Sequence, residues 1–378
     1  MKLKRFTAMI IAIIIIMVPV ISAAGMDDWP TRRIDHASEW LLENYQQNSS
    51  SITLTFEHAL AVAALNNVND ISEYPSRIIN TERFAALIPQ QHIPDLQGVY
   101  WHADALITLL ITNPCAQATG AINALVDMQD ENGDFITYGQ RVDVRENIWA
   151  TIALRLAYKA GCVVPKWDID AVLENIKAWQ ADDGGFDVIF RDHSRVLITA
   201  EAIIALSLSS AYNSEAAKNA IEFLHSQMNE DFTFSNATEQ SYAIIALALA
   251  GEDIFGERWA NENSGIFSAL TNLQAGYSGS GGGFYHNNSA TNPDDISTRQ
   301  AITAMSIIHL MQQEEIDGIE ALVQIIGVEE RDENELYQRD PQPNLGDWML
   351  DWLPIIGAIV GGLVLIFIIL TIISKKKK

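Results

Sequence analysis

Apolar and polar positions along the chain define two kinds of helical segment that follow one another in pairs. Residues 168–180, DIDAVLENIKAWQ, have apolar side chains at helical spacing, which predicts an amphipathic helix with one buried stripe. Residues 199–212, TAEAIIALSLSSAY, are small and apolar nearly all round, which predicts a helix that is buried on most sides. Acidic, glycine-rich segments such as ADDGG, residues 181–185, stop the first kind of helix. The pattern therefore predicts helical hairpins with one surface helix and one interior helix each.

The hairpin pattern repeats along the chain. A glutamine before each turn recurs at intervals of 51, 47 and 47 residues, at Gln129, Gln180, Gln227 and Gln274. The interior segments carry Ala-x-x-Ala followed by Leu or Met, or a variant of it, and these phrases begin at Ala61, His102, Ala150, Ala202, Ala243 and Ala301. The sequence therefore contains six repeating units, which indicates a repeat architecture.

Six helical pairs favour a closed double ring over an open superhelix. The interior helices would form an inner barrel, and the amphipathic helices would form an outer barrel around it. An open array needs polar capping repeats at its ends, and the sequence shows none. We therefore expect an all-α ectodomain, an α6/α6 double barrel or toroid, over residues 25–326.

The turn is similar to a known repeat. In three units an apolar residue stands four positions before the glutamine, and a Gly-x-Phe sequence follows it. The copies are Leu125…Gln129…Gly133-Asp134-Phe135, Ile176…Gln180…Gly184-Gly185-Phe186 and Leu270…Gln274…Gly282-Gly283-Phe284. This phrase resembles the repeat of the terpenoid cyclase and protein prenyltransferase superfamily (prenyltransferase and squalene oxidase-type repeats) over about residues 31–315. The resemblance implies the α6/α6 toroid.

The fifth unit departs from that repeat, because Gln227 is followed by Met-Asn-Glu-Asp-Phe with no glycine. Phenylalanine also replaces the tryptophan that the cyclases favour. We expect the repeated phrase to build the fold. A glutamine amide both donates and accepts hydrogen bonds, so it can tie the end of one helix to the start of the next, while the aromatic side chain wedges between units.

The catalytic motifs of the two families are missing from the chain. Class II terpenoid cyclases use an Asp-x-Asp-Asp acid, and the nearest string, Asp168-Ile-Asp170-Ala171, is explained as the cap of an outer helix. Protein prenyltransferases hold zinc with an Asp, a Cys and a His in the later repeats, and repeats five and six contain no cysteine. Catalysis of either type is not expected, no metal or cofactor is assigned, and whether the chain is an enzyme stays open.

Both ends of the chain carry signals for a membrane. Residues 1–24 combine a basic start, an apolar run and small residues, which is typical of a secretory signal peptide; an uncleaved anchor is the alternative. Residues 353–373 hold no charge and are long enough to span a bilayer as a helix, and a basic tail, 374–378, follows. The lysines of that tail argue against a lipid-anchor signal. The acidic, proline-containing residues 327–352 are a predicted stalk. The prediction is a single-pass protein of the cell membrane, with the toroid outside and the C-terminus in the cytoplasm.

The predicted ectodomain is strongly acidic. The whole chain has 24 Lys and Arg residues and 48 Asp and Glu residues, and seven of the basic residues but none of the acidic ones lie in the signal, the span and the tail. The ectodomain therefore carries a net charge of −31. Such a charge repels nucleic acid and anionic membrane surfaces. The membrane reached through the C-terminal helix and a small-molecule or glycan ligand remain as expected partners.

An oxidising exterior changes the interpretation of the cysteines and of three asparagines. Cys115 and Cys162 stand before helices of adjacent repeats, so we predict a disulfide between them. Asn48, Asn236 and Asn287 begin Asn-x-Ser/Thr sequons, which accept N-glycans where the host has the machinery.

The candidate ligand site is the mouth of the predicted inner barrel, where the interior helices begin. Aromatic, basic and acidic side chains cluster there, although the rest of these helices is apolar. Arginine can hold a polar organic ligand by charge-assisted hydrogen bonds, and tryptophan can hold it by stacking. The candidate cavity residues are Glu57, His58, Trp101, His102, Arg145, Trp149, Arg195, Glu201, Tyr242 and Arg299. The alternative is that these side chains only satisfy one another between helices.

Three functions are compatible with these residues. A binding module would have an aromatic cavity without an acid–base pair within reach of a substrate. A carbohydrate-active or terpenoid-cyclase-like enzyme would set two carboxyl groups, such as those of Glu57 and Glu201, against each other across the cavity. A structural cell-surface protein would have a plugged cavity and would use its outer face.

Overall fold

The computed structural model describes residues 29–48, 56–69, 98–112, 115, 118–137, 142–187, 195–276 and 282–327. All of them lie in one compact unit that spans residues 1–330. Within these ranges the chain is helical, and pairing between extended segments is limited to isolated bridges at the turns.

The described residues contain twelve helices. They are α1 (Trp29–Asn48), α2 (Phe56–Asn69), α3 (Val99–Thr112), α4 (Thr119–Val126), α5 (Val144–Lys159), α6 (Ile169–Ala178), α7 (Arg195–Leu208), α8 (Glu215–Gln227), α9 (Ala237–Leu249), α10 (Ile266–Asn272), α11 (Asp295–Glu314) and α12 (Gly318–Ile326).

Six of these helices form a closed inner ring. In chain order α2, α3, α5, α7, α9 and α11 each pack against the next, and α11 packs back against α2. The amphipathic helices α4, α6, α8 and α10 pack on the outside of the ring, each against the inner helix that precedes it in the chain, and α1 packs mainly against α11. The outer helix expected before α3 falls at residues 70–97, outside the described residues. The predicted all-helical α/α toroid is confirmed.

The composition of the inner helices explains why the ring closes tightly. The alanines of the repeated phrase, among them Ala150, Ala202, Ala243 and Ala301, are fully buried. A methyl side chain lets two helix axes approach closely, and alanine also has the highest helix propensity. In the outer helix α6 only the predicted stripe is buried, at Val172, Leu173 and Ile176. Burial therefore follows the two hydrophobic patterns of the sequence.

The repeated glutamine joins successive units, as predicted. The Gln129 amide nitrogen donates to the Gly133 carbonyl in its own turn and to the Asp168 carbonyl at the start of α6, at 3.1 and 2.9 Å. Its amide oxygen accepts from the Asp168 N–H at 2.8 Å. Asp168 in turn caps α6 by accepting from Ala171 N–H, which confirms its predicted role. The phenylalanine of the phrase, Phe135, is fully buried.

The last turn closes the ring onto the first helix by the same contacts. The Gln274 amide nitrogen donates to the Arg33 carbonyl of α1 at 2.8 Å, and its amide oxygen accepts from Arg33 Nη1 at 3.1 Å. A methyl group on Gly282 would lie 2.3 Å from the His36 carbonyl oxygen, so this turn tolerates only glycine against α1. Head-to-tail closure is therefore built into the repeat.

The fifth unit replaces the missing glycine and the glutamine contact by other means. Phe232 takes the left-handed conformation, with φ of 64°, where the other turns use glycine. The Gln240 amide nitrogen, from α9, donates to the Phe232 carbonyl at 3.1 Å and to the Ile266 carbonyl at the start of α10 at 2.7 Å. Gln227, by contrast, donates to its neighbour Ser226. A glutamine from the inner helix thus performs the bridging that a turn glutamine performs elsewhere.

The final helix, α12, packs against three inner helices, α2, α9 and α11. Its first residue, Gly318, lies against the Ala248 carbonyl at the C-terminal end of α9, where a methyl group would come within 2.4 Å. Helix α12 therefore covers the end of the ring at which the inner helices finish. The sequence placed these residues in the toroid without predicting that position.

The predicted disulfide is present in the structure. Cys115 and Cys162 are joined by a disulfide, with their Cα atoms 4.8 Å apart. The predicted signal peptide, stalk, membrane span and tail lie outside the described residues, at 1–24 and beyond 327. No helix within the described ranges is long and apolar enough to span a bilayer.

Candidate functional site

The ring encloses a mainly apolar cavity, here called the hollow. Every inner helix contributes to its wall, and Leu322 of α12 reaches it from one end. Its volume is about 60 Å³. The lining residues are Glu57, Leu60, Ile107, Trp149, Ile152, Leu156, Ile204, Tyr242, Ile245, Gln300, Thr303 and Leu322.

The positions of the helix N-caps determine how far along the axis of the ring these side chains lie. Asp143, Asn236 and Asp294 cap α5, α9 and α11 by accepting a backbone N–H of the first turn. Six residues after each cap stand Trp149, Tyr242 and Gln300, which share one level of the wall. Nine residues after each cap stand Ile152, Ile245 and Thr303, one helical turn deeper. The hollow is therefore polar and aromatic near the helix starts and more apolar below.

Glu57 is the centre of the polar level. Its Oε1 accepts from the Gln300 amide nitrogen at 2.7 Å and from the Tyr242 hydroxyl at 3.2 Å. Its Oε2 lies 3.6 Å from Arg299 Nη1. Arg299 also contacts Asp295 of its own helix, with Nη2 3.1 Å from Oδ2. These bonds join α2, α9 and α11 across the mouth.

Arg145 and Glu201 form a second polar group that joins α5 and α7. Arg145 Nε and Nη2 donate to the two carboxylate oxygens of Glu201 at 3.0 and 2.9 Å, and the Glu201 side chain is only 1% exposed. The guanidinium lies 5.1 Å from the centre of the Tyr100 ring, which packs edge-on against Trp149. The pair is therefore both hydrogen-bonded and enclosed by aromatic rings.

The pKa values of two tyrosines and one arginine at the mouth are raised, so these groups hold their protons. Burial, followed by the charge of Glu57 and Glu201, raises the pKa of Tyr242 well above its usual value. Burial and the charge of Glu57 likewise raise the pKa of Tyr100. Burial lowers the pKa of Arg145, but the charge and hydrogen bonds of Glu201 outweigh it and the pKa is raised overall. Both tyrosines are therefore protonated and Arg145 is charged at neutral pH.

The structure brings six of the ten predicted cavity residues together at this mouth: Glu57, Arg145, Trp149, Glu201, Tyr242 and Arg299. Three others are placed differently. Trp101 is 47% exposed, and His102 Nδ1 donates to the Gly98 carbonyl at the start of its own helix. Arg195 bonds Asp183 of the adjacent turn on the outside of the ring. The His58 side chain lies outside the described residues.

Sequence reasoning missed most of the apolar wall. Leu60, Ile107, Ile204 and Leu322 carry no chemical signal of their own. A helix that is apolar all round gives no indication of which face meets a cavity and which meets a neighbouring helix. Within the described ranges, no group of three His, Cys, Asp or Glu side chains is placed to hold a metal ion.

Comparison with protein families identifies the repeat. The family model for the prenyltransferase alpha-alpha toroid domain matches residues 84–231 and 187–335, which together cover more than half of the chain. The chain belongs to the prenyltransferase alpha-alpha toroid family. The comparison with curated proteins gives no match.

Several solved structures match this chain at low identity. Protein geranylgeranyltransferase-I of Candida albicans, complexed with GGPP, is 14% identical with a TM-score of 0.49, and the match covers 78% of this chain and 98% of that one. Haptocorrin in complex with Cbi is 14% identical with a TM-score of 0.47, over 74% of this chain and 67% of that one.

The ent-copalyl diphosphate synthase of Streptomyces platensis is 16% identical, with a TM-score of 0.44. The match covers 71% of this chain and 50% of the synthase, so it spans half the length of that protein.

Proposed function

We propose that this toroid is a binding protein that holds a small, mainly apolar organic molecule in the hollow. The observation that carries the proposal is an apolar wall to which all six inner helices contribute, with Glu57, Tyr242 and Gln300 placed near one end. Binding sites for small molecules combine such walls with a few placed polar groups. The volume of about 60 Å³ suits one small ring or a short, slender chain.

The state of the carboxylates supports binding rather than acid–base catalysis. Glu201 receives two hydrogen bonds from Arg145, and Glu57 receives hydrogen bonds from Tyr242 and Gln300. A general acid must be able to give a proton to the substrate, and a nucleophile needs accessible lone pairs. The lone pairs of these two carboxylates are instead occupied by donors of the protein, which hold both groups in place.

We also propose that the toroid is displayed outside the cell on the predicted C-terminal span. The support is the sequence of residues 1–24 and 353–378, which lie beyond the described part of the chain. Retention of the full chain in carbonate-washed membranes, and its loss on deletion of 353–378, would check this location.

The binding proposal is tested with toluene, a small neutral ring, added to the purified full chain. A ligand that binds only the folded state raises the melting temperature in proportion to its saturation. We expect toluene to raise the melting temperature, and we expect Ile245→Phe, which places a ring in the hollow, to abolish the rise.

The matched control is Ile296→Phe, since Ile296 is 50% exposed and outside the hollow. This variant should respond to toluene as the unaltered chain does. An unchanged response in Ile245→Phe would show that toluene binds outside the hollow, and no binding of toluene or of any other apolar probe to the unaltered chain would contradict the binding function.

A further inference from the structure

Gln300, in the wall of the hollow, has an unused hydrogen-bond acceptor. Its amide nitrogen must face Glu57, because a carboxylate can only accept, and the two atoms are 2.7 Å apart. The amide oxygen therefore points away from Glu57. It is buried, the residue is 6% exposed, and no donor among the described residues reaches it.

An acceptor of this kind is costly unless something donates to it. A buried polar atom without a partner loses its hydration and gains nothing in return. Gln300 lies on α11 among the residues that line the hollow, so its side chain would contact a molecule placed there. A donor on that molecule would satisfy the oxygen.

The neighbouring charges oppose an anionic ligand. Three carboxylates, those of Glu57, Glu201 and Asp295, lie at the mouth with two guanidiniums. Arg145 is bonded to Glu201, and Arg299 lies between Glu57 and Asp295. An anion such as a carboxylate or diphosphate would meet excess negative charge with both arginines already engaged.

We propose that the ligand of the hollow is an apolar molecule that ends in a hydrogen-bond donor, an alcohol or an amine, which donates to Gln300 Oε1. This inference rests on the proposed binding function and adds the polar end of the ligand to it. The apolar part lies against the wall below, toward Leu322, and the donor group lies at the level of Gln300 and Glu57.

Four six-carbon probes test the donor directly on the full chain. Hexan-1-ol and methyl pentyl ether are isomers that differ in whether they can donate, and hexylammonium and hexanoate add opposite charges. We expect hexan-1-ol and hexylammonium to bind about tenfold more tightly than the ether, and hexanoate to bind most weakly. Dissociation constants come from the dependence of the melting temperature on ligand concentration.

The variant Gln300→Lys reverses the polarity of the contact. Its ammonium group still donates to Glu57 but has no acceptor, so the preference for the alcohol over the ether should disappear and hexanoate binding should improve. Thr303→Val is the matched control, because Thr303 also lines the hollow but its hydroxyl donates to the Arg299 carbonyl within α11. That variant should keep the tenfold preference.

The outcomes separate the two proposals. If neither toluene nor any six-carbon probe binds, the binding function itself fails. If toluene binds but alcohol and ether bind equally, or if hexanoate binds best, the donor inference is overturned and the function stands. Should Gln300→Lys fail to fold, the ranking of the four probes on the unaltered chain decides the question alone.

Discussion

Single side chains join the units of the ring by making hydrogen bonds that the helices cannot make for themselves. A helix end leaves backbone carbonyls without partners, and the start of the next helix leaves N–H groups without partners. The Gln180 amide nitrogen donates to the Gly184 carbonyl in the turn and to the Ala216 carbonyl in the first turn of α8, 2.8 Å from each. In the fifth unit Gln240 has this role, from a different helix.

The substitution Gln240→Leu tests this exchange of roles. Gln240 is 1% exposed and also accepts from the Phe234 N–H at 2.8 Å, so its loss leaves several buried backbone groups unsatisfied. We expect the free energy of unfolding to fall by about 3 kcal/mol, measured by urea denaturation.

The control is Gln227→Leu, at the glutamine that the sequence pattern itself marks. Its amide contacts only the exposed neighbouring hydroxyl of Ser226 among the hydrogen bonds described, so the change should cost less than about 1 kcal/mol. Equal losses in the two variants would mean that Gln240 has no special structural role.

The sequence showed that the fifth turn was irregular but not how it was repaired. The absent glycine is visible in the string after Gln227. That Phe232 adopts the left-handed conformation, and that Gln240 lies near its carbonyl, depends on how α9 and α10 meet. Contacts between residues on different helices depend on how the helices pack, so the local sequence pattern does not predict them.

Pairs of helices are joined at the mouth by buried ionic contacts. The Arg145–Glu201 pair connects α5 with α7, and both residues come from the first two turns of their helices. Taking two charges out of water costs free energy, which their attraction repays only while both partners remain. The pair is thus a specific connection between two elements rather than a large source of stability.

A double-variant cycle tests this connection. Arg145→Met leaves the Glu201 carboxylate buried without its partner, and we expect it to lower the free energy of unfolding by about 3–5 kcal/mol. The double variant Arg145→Met, Glu201→Leu replaces both charges by apolar groups and should recover most of the loss, again by urea denaturation. A double variant as unstable as the single one would contradict this account.

Helix α12 shows the limit of sequence reasoning for elements. Its sequence, GIEALVQII, predicts a helix with a broad apolar surface. That surface packs on α2, α9 and α11 and brings Leu322 to the hollow. An apolar helix surface predicts that the helix is buried, but the sequence does not show which other helices it packs against.

The whole ring depends on the contact between its last turn and its first helix. Gly283 lies against the indole ring of Trp40 in α1, and a methyl group there would lie 2.4 Å from a ring atom. Because an indole is rigid and packed into the interface, it can move only if α1 moves too. Closure of the toroid is therefore sensitive to one atom at this position.

Gly283→Ala should weaken the closure of the ring. We expect a loss of about 2 kcal/mol in the free energy of unfolding, together with faster amide hydrogen exchange in α1. Gly276→Ala is the control in the same segment, since a methyl group at Gly276 meets nothing within 4 Å. Unchanged exchange in α1 for Gly283→Ala would show that closure does not rest on this contact.

The sequence by itself determined the helical hairpins, their repeat and the role of the turn glutamines. These follow from periodicity and local hydrogen bonding, which act over a few residues. It also indicated the mouth, because charged residues such as Arg145 and Glu201 are unexpected at the start of apolar helices.

Only the tertiary structure decided which faces enclose a hollow, that α12 covers one end, that Arg195 lies outside and that Gln300 keeps an unused acceptor. The physical reason is that burial energy depends on the area removed from water and has no direction. The sequence therefore predicts that an apolar or charged side chain is buried or paired, and the packing of the closed ring determines which residue it contacts.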